Sequence, residues 1–146
     1  MTIANHSIDI VTAIGIDVYD ITPQIQALIA QTGIENGHVL VFSRHTTTAL
    51  AINELESRLL EDIKVYLRKL APESEPYLHN DLHLRPNIPP DEPMNAHSHL
   101  MAMTLSTSEM IPIAAGKLAL GTYQSVLLFE LDGPRKRSVF CQISGE

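Results

Sequence analysis

Four of the chain's nine prolines, at positions 86, 89, 90 and 93, fall within Tyr77–Leu100, together with four of its seven histidines, His79, His83, His97 and His99. Each proline removes a backbone donor and pushes the residue before it toward an extended conformation, which excludes helix interior and central strand from most of this span. A long connection of this kind inside a compact domain is either functional or disordered. Imidazoles and acids, in place of the Ser, Gly and Lys of a solvated tail, point to function. The remainder of the chain then reads as a scaffold for this loop, and 146 residues suit one domain, residues 1–146, with a substantial core.

The scaffold mixes two hydrophobic periods. Short alternating patterns rich in β-branched residues predict strands over 7–12 and 15–19. Thr22 as N-cap, Pro23 at the first helical position, an apolar face of Ile25, Leu28 and Ile29, and Gly33 at the end predict a helix. Strands follow over 38–43 and 47–53, the second favoured by three consecutive threonines, with His45 in the tight connection between them. From Glu54 to Ala71 the helical period is clear. At 100° per residue, Leu55, Leu59, Ile63, Tyr66, Leu67 and Leu70 fall in one arc of about 120°, expected to be buried, and Asp62 lies about 20° outside it. Asp62 reads equally well as a half-exposed surface acid. Asn95 caps a third predicted helix running to about Leu105. On that helix His97 and His99 point about 200° apart and cannot share a ligand. The remainder is β-rich: 110–113, a long segment 118–131 interrupted at Gly121, a turn at Asp132–Pro134, and 138–143.

Charge and composition narrow the function classes. Seventeen acids against ten Lys and Arg give a net charge of −7, which argues against a duplex-binding surface, because such affinity comes from neutralising phosphates. No run approaches the roughly 20 apolar residues of a membrane span, and the N-terminus lacks the basic and apolar regions of a signal peptide, so a cytoplasmic protein is expected. Cys141 reads as a small buried residue of the last strand. Arg135, Lys136 and Arg137 form a local cationic spot suited to a small phosphorylated ligand, Arg135 and Arg137 being the candidate phosphate binders.

His45, His79 and His99 all lie at element edges or in the loop, where side chains from distant points can converge. Three imidazoles with an open fourth position is a zinc pattern, although no H-E-x-x-H or paired C-x-x-C spelling is present, and each histidine taken singly reads as an ordinary surface or core side chain. Glu54 and Asp62 are the acids available as general bases, and magnesium becomes an option if the substrate carries a diphosphate.

Several stretches together carry a resemblance: HTTTALAINE at 45–54, the helical Asp62, Y-x-H at 77–79, S-H-L at 98–100, IPI at 111–113, GKLALGTYQ at 116–124 and ELDGPRKR at 130–137. In this order they resemble the YjbQ-like family, often labelled secondary thiamine-phosphate synthases, over nearly the whole chain. The resemblance implies an α+β domain, mostly an antiparallel β-sandwich with two or three flanking helices, assembled as a homotrimer. It implies that His45, Glu54, Asp62, His79, His99, Gln124 and Arg135 belong to one site, with Gln124 joining Glu54 and Asp62 as catalytic residues. It also implies transferase chemistry joining hydroxymethylpyrimidine diphosphate to thiazole phosphate, with release of diphosphate. Two alternatives stay open beside it, a metal-assisted hydrolase of a phosphorylated or cyclic small molecule and a non-catalytic metabolite-binding protein, trimeric as the resemblance implies. Where the family usually has Gly, this chain has Ser106, which raises the question of a positive φ there.

Overall fold

A computed structural model describes all residues 1–146. Eight strands and three helices alternate along the chain: β1 (Thr2–Val11), β2 (Gly15–Asp20), α1 (Thr22–Thr32), β3 (Asn36–Ser43), β4 (Thr48–Asn53), α2 (Ser57–Leu70), α3 (Ala96–Thr104), β5 (Ser108–Ala114), β6 (Lys117–Leu118), β7 (Ser125–Gly133) and β8 (Lys136–Gly145). The strands form a five-stranded sheet in the order β1-β8-β3-β5-β6 and a three-stranded sheet in the order β2-β7-β4. Every pairing is antiparallel.

Strand β7 explains the layering. Val126 and Leu128 point into a core shared with Val39, Val41, Ile111, Val139 and Ile143 of the larger sheet, while Leu127, Phe129 and Leu131 point into a second core with Leu67, Met101 and Ala102 of α2 and α3. A strand buried on both faces reads as a nearly continuous apolar run, as this one does. The long segment predicted over 118–131 is in fact two strands in different sheets, β6 and β7, because residues 119–124 carry the chain across from one sheet to the other.

Helix α1 ends as expected, with Gly33 in the left-handed conformation at φ 72°. Its start differs: Ile21 occupies the N-cap position, and the Thr22 hydroxyl accepts the Val126 backbone N–H at 2.8 Å, joining the helix to β7. Helix α2 begins at Ser57, not Glu54, because the Glu56 carboxylate accepts the N–H groups of Arg58 and Leu59 and caps it. Its expected buried arc is rotated. Leu60, Ile63, Leu67 and Ala71 contact the second core, whereas Leu55, Tyr66 and Leu70 are 48%, 63% and 47% exposed. The helix is apolar over about 160°, and only the half facing the three-stranded sheet is covered. Ser106 needs no glycine geometry, since the only non-glycine residues at positive φ are Asn87 and Ala115. No helix is long and apolar enough to cross a membrane.

The proline-rich loop folds on itself. Two short 3-10 turns, Leu78–Asn80 and Leu82–Leu84, open it. Arg85 then ties it together, donating from Nη1 to the His79 carbonyl at 3.1 Å and pairing through Nη2 with Glu92 at 2.9 Å.

Candidate functional site

The loop and helix α3 bring two of the expected histidines together. His79 sits in the first 3-10 turn and His99 in the first half of α3, with ring centroids 4.8 Å apart in an edge-to-face arrangement. Helix α3 is fixed from below: the buried Ser98 hydroxyl donates to the Leu131 carbonyl at 2.6 Å, and Asn80 Oδ1 accepts the Ala96 N–H at 3.1 Å. His99 and His45 line one concavity with Thr46, Met103 and Thr107, and His45 and Thr46 also line the next, with Arg44, Glu92, Asn95 and Arg135. The two adjoining volumes, about 310 and 360 Å³, form one polar basin at the end of the sheets.

His45 does not play the part expected of it. Its Nε2 accepts the Ser138 backbone N–H at 2.9 Å, taking over as acceptor just where β3 parts from β8. With the Nε2 lone pair used, Nδ1 carries the ring's proton, and a neutral imidazole in that state has no lone pair left for a metal. His45 is therefore a donor on the basin wall. No group of three or more His, Cys, Asp or Glu converges in a single chain to hold an ion, so the chain offers a histidine pair instead of the expected triad.

Arg137 is corrected as well. It was expected to bind phosphate, but its side chain is 4% exposed and its Nε and Nη2 donate to the two Glu130 oxygens at 2.9 and 2.6 Å, with Thr47 Oγ1 accepting a further bond at 2.8 Å. With the Nε–Nη2 edge filled by the carboxylate and the second Nη2 hydrogen given to Thr47, the guanidinium keeps no free pair of parallel donors for phosphate. Arg135 differs. Its Nη2 pairs with Asp132 at 2.8 Å while the side chain stays 43% exposed at the basin. Asp132 Oδ2 also accepts from Asn95 Nδ2 at 2.7 Å, so one carboxylate positions both residues.

Glu54, Asp62 and Gln124 lie elsewhere in the same chain. In the β4–β7 ladder Thr48 pairs with Glu130 and Asn53 with Ser125, so Glu54 and Gln124, one residue further on, sit roughly 20 Å along the strand from the basin, at about 3.3–3.4 Å per residue. Gln124 Oε1 accepts the Gly121 N–H at 2.8 Å and closes a local turn. Asp62 is exposed on α2. Within one chain these three do not join the histidines. Arg44, Glu92, Asn95 and Asp132 do line or position the basin and were missed. Asp132 stands inside one quoted motif and Arg44 immediately before another, but only the fold turns them toward it.

Both basin histidines are held below the ordinary imidazole range. For His99 burial is the main cause, and the neighbouring His79 adds to it, against Asp132. For His45 burial leads again, followed by Arg137, with Arg44 and Arg135 beyond it. The unfolded chain binds these protons near pH 6.5 and the folded chain only at lower pH, so acidification from about 6.5 favours the unfolded state. His45→Gln keeps an acceptor for Ser138 and removes the titration. Urea denaturation between pH 7 and 5 is expected to show a shallower loss of stability in this variant than in the wild type, and equal slopes would refute this.

The whole chain has relatives. Residues 6–146 match the family model described as UPF0047 protein YjbQ-like. A UPF0047 protein of Methanothermobacter thermautotrophicus is 37% identical over 146 residues, covering 100% of this chain and 95% of its own. The YugU protein of Bacillus subtilis is 30% identical over 130 residues, covering 88% and 90%. Among solved structures, a YbjQ-like protein of unknown function from Sulfolobus solfataricus superposes with a TM-score of 0.90 at 35% identity and 99% coverage of each chain. A hypothetical protein of Aeropyrum pernix gives 0.88 at 36% identity, covering 98% and 99%. These findings overturn the thiamine-phosphate synthase expectation. The relatives and structural neighbours carry no such activity in their descriptions, and the Sulfolobus protein is described as of unknown function.

Proposed function

This chain belongs to the UPF0047 YjbQ-like family, and on that premise we propose that its polar basin binds a small phosphorylated molecule with the help of a divalent cation. The observation that carries this reading is a pair of exposed guanidinium groups, Arg44 and Arg135, on a basin whose continuation is lined by His99, the ring that His79 stacks against. Guanidinium recognises phosphate oxygens through two parallel bonds, and neutral imidazoles suit zinc better than magnesium. In this reading His79 and His99 hold the ion, and ligand oxygens fill its other positions. Bound there, such an ion neutralises and polarises the phosphate. Arg135 orients the anion, positioned by Asp132, while His45 donates from Nδ1.

Calorimetric titration tests this. Zinc is expected to bind the wild type and to lose at least about tenfold in affinity in His99→Ala; methyl phosphate should then bind the zinc-loaded protein and weaken about tenfold in Arg135→Ala. Zinc affinity unchanged by His99→Ala, or methyl phosphate indifferent to Arg135, would refute it.

The expected homotrimer and β-sandwich assembly belong to the same proposal. Leu55, Tyr66 and Leu70 lie uncovered beside Glu54 and Asp62, and Tyr123, 72% exposed, stands next to Gln124. Exposed large apolar side chains beside acids that belong to no ion pair of their own chain mark a protein interface. A neighbouring copy seated there would bring Glu54, Asp62 and Gln124 toward a second basin. Sedimentation should give a trimer at micromolar concentration and a smaller species for Tyr66→Glu, and a monomeric wild type would rule this out.

A further inference from the structure

Helix α3 turns its two histidines toward different concavities. His99 faces the basin, while His97, about 200° away around the helix, lines a separate cavity of about 470 Å³. The buried side chains of Met101 and Leu131 form its floor, and Met94, 59% exposed, stands at its rim. That volume is within the roughly 300–1,000 Å³ of small-molecule sites, and methionines adapt to varied apolar shapes.

Two polar groups on its walls have no partner. Arg68, in the last turn of α2, belongs to none of the chain's ion pairs. His97 Nδ1 is buried without a hydrogen bond. A proton on Nδ1 would leave a sealed donor unsatisfied, so the ring carries its N–H on Nε2, which is the available donor. Two acids also line the cavity. Asp132 is already taken by Arg135 and Asn95, and Glu73 is an exposed residue at the edge. Their charge makes the cavity unsuited to phosphates and dicarboxylates, which carry two negative charges.

We propose that this cavity is a second ligand site, specific for a small apolar monocarboxylate. The hydrocarbon body lies on Met94, Met101 and Leu131, and the carboxylate bonds Arg68 with His97 Nε2–H as the second donor. The proposal is independent of the reading of the basin, since it shares neither the histidine pair nor the exposed arginines.

Sodium hexanoate, titrated into the full-length protein with 13C-methyl methionine, tests it. The Met94 and Met101 methyl signals are expected to shift and saturate, while that of Met103, on the basin side, stays in place. Arg68→Gln should weaken binding about tenfold, the scale of one charge-assisted contact, and Lys69→Gln should not. Hexylammonium should produce no shift. Unmoved Met94 and Met101 signals, equal shifts with hexylammonium, or unchanged affinity in Arg68→Gln would each overturn it. So would Met94 and Met101 signals that depend on protein concentration and ignore hexanoate, which would assign the cavity to a second copy of the chain.

Discussion

Replacing Glu130 by alanine is expected to destabilise the protein by about 3–5 kcal/mol, a large share of the roughly 5–15 kcal/mol of a typical domain. The carboxylate is 0% exposed and accepts from Arg137 Nε and Nη2, from the Thr12 hydroxyl and from the Asp132 N–H. Its loss leaves a guanidinium in the interior with only Thr47 to face. The cost lies in that unpaired charge more than in the bond removed, so Glu130→Leu combined with Arg137→Met should recover most of the stability. The pH dependence gives a second check. Burial alone would raise the Glu130 pKa, but the hydrogen bonds from Arg137 and Thr12 and the charge of Arg137 outweigh it and hold the carboxyl below its usual range. Its contribution is therefore complete above the unfolded value near 4.3 and is lost as pH falls through the lower folded value. Thermal and urea denaturation at one fixed protein concentration measures both effects. A loss under about 1 kcal/mol in Glu130→Ala would show that the pair is not the lock described.

Gly133→Ala is expected to damage stability and anion binding together. A Cβ at this position would lie 1.9 Å from the Ala13 carbonyl oxygen, a backbone atom with no rotamer to change. The strand end and the turn between β1 and β2 must then separate. That separation strains the paired bonds Thr12 N–H to Arg135 carbonyl at 2.9 Å and Arg135 N–H to Thr12 Oγ1 at 3.0 Å. Overpacking of this kind costs about 1–3 kcal/mol, sometimes more. Because Arg135 moves with its backbone, methyl phosphate affinity should fall in the same variant. Gly121→Ala is the control, since its nearest neighbour is the flexible Gln124 side chain at 3.4 Å. Equal melting temperatures for Gly133→Ala and wild type would contradict this account.

What could be read without coordinates was chemistry confined to neighbours in sequence. Proline at the start of α1 and Gly33 at its end act within one turn, so that helix was legible. The division of His97 from His99 followed from the helical period alone, and the structure sends them to separate concavities. The prolines of the loop announced a non-repetitive segment, which folds as two short turns and an Arg85–Glu92 clasp.

Tertiary structure decided everything that depended on a distant partner. The periodicity of α2 marked an apolar arc, but the covered half is set by the sheet beneath it, which buries Leu60, Ile63 and Leu67 and leaves Tyr66 open. Arg135 and Arg137 are the same residue type and differ in fate, because Arg137 lies on the inward face of β8 and meets Glu130, whereas Arg135 stands in the turn before the strand and keeps its side chain open at the basin. Likewise His45 gives up its Nε2 lone pair to Ser138, 93 residues later in the chain. A side chain's protonation and available lone pairs are fixed by the groups that surround it, and those arrive only when the chain has folded.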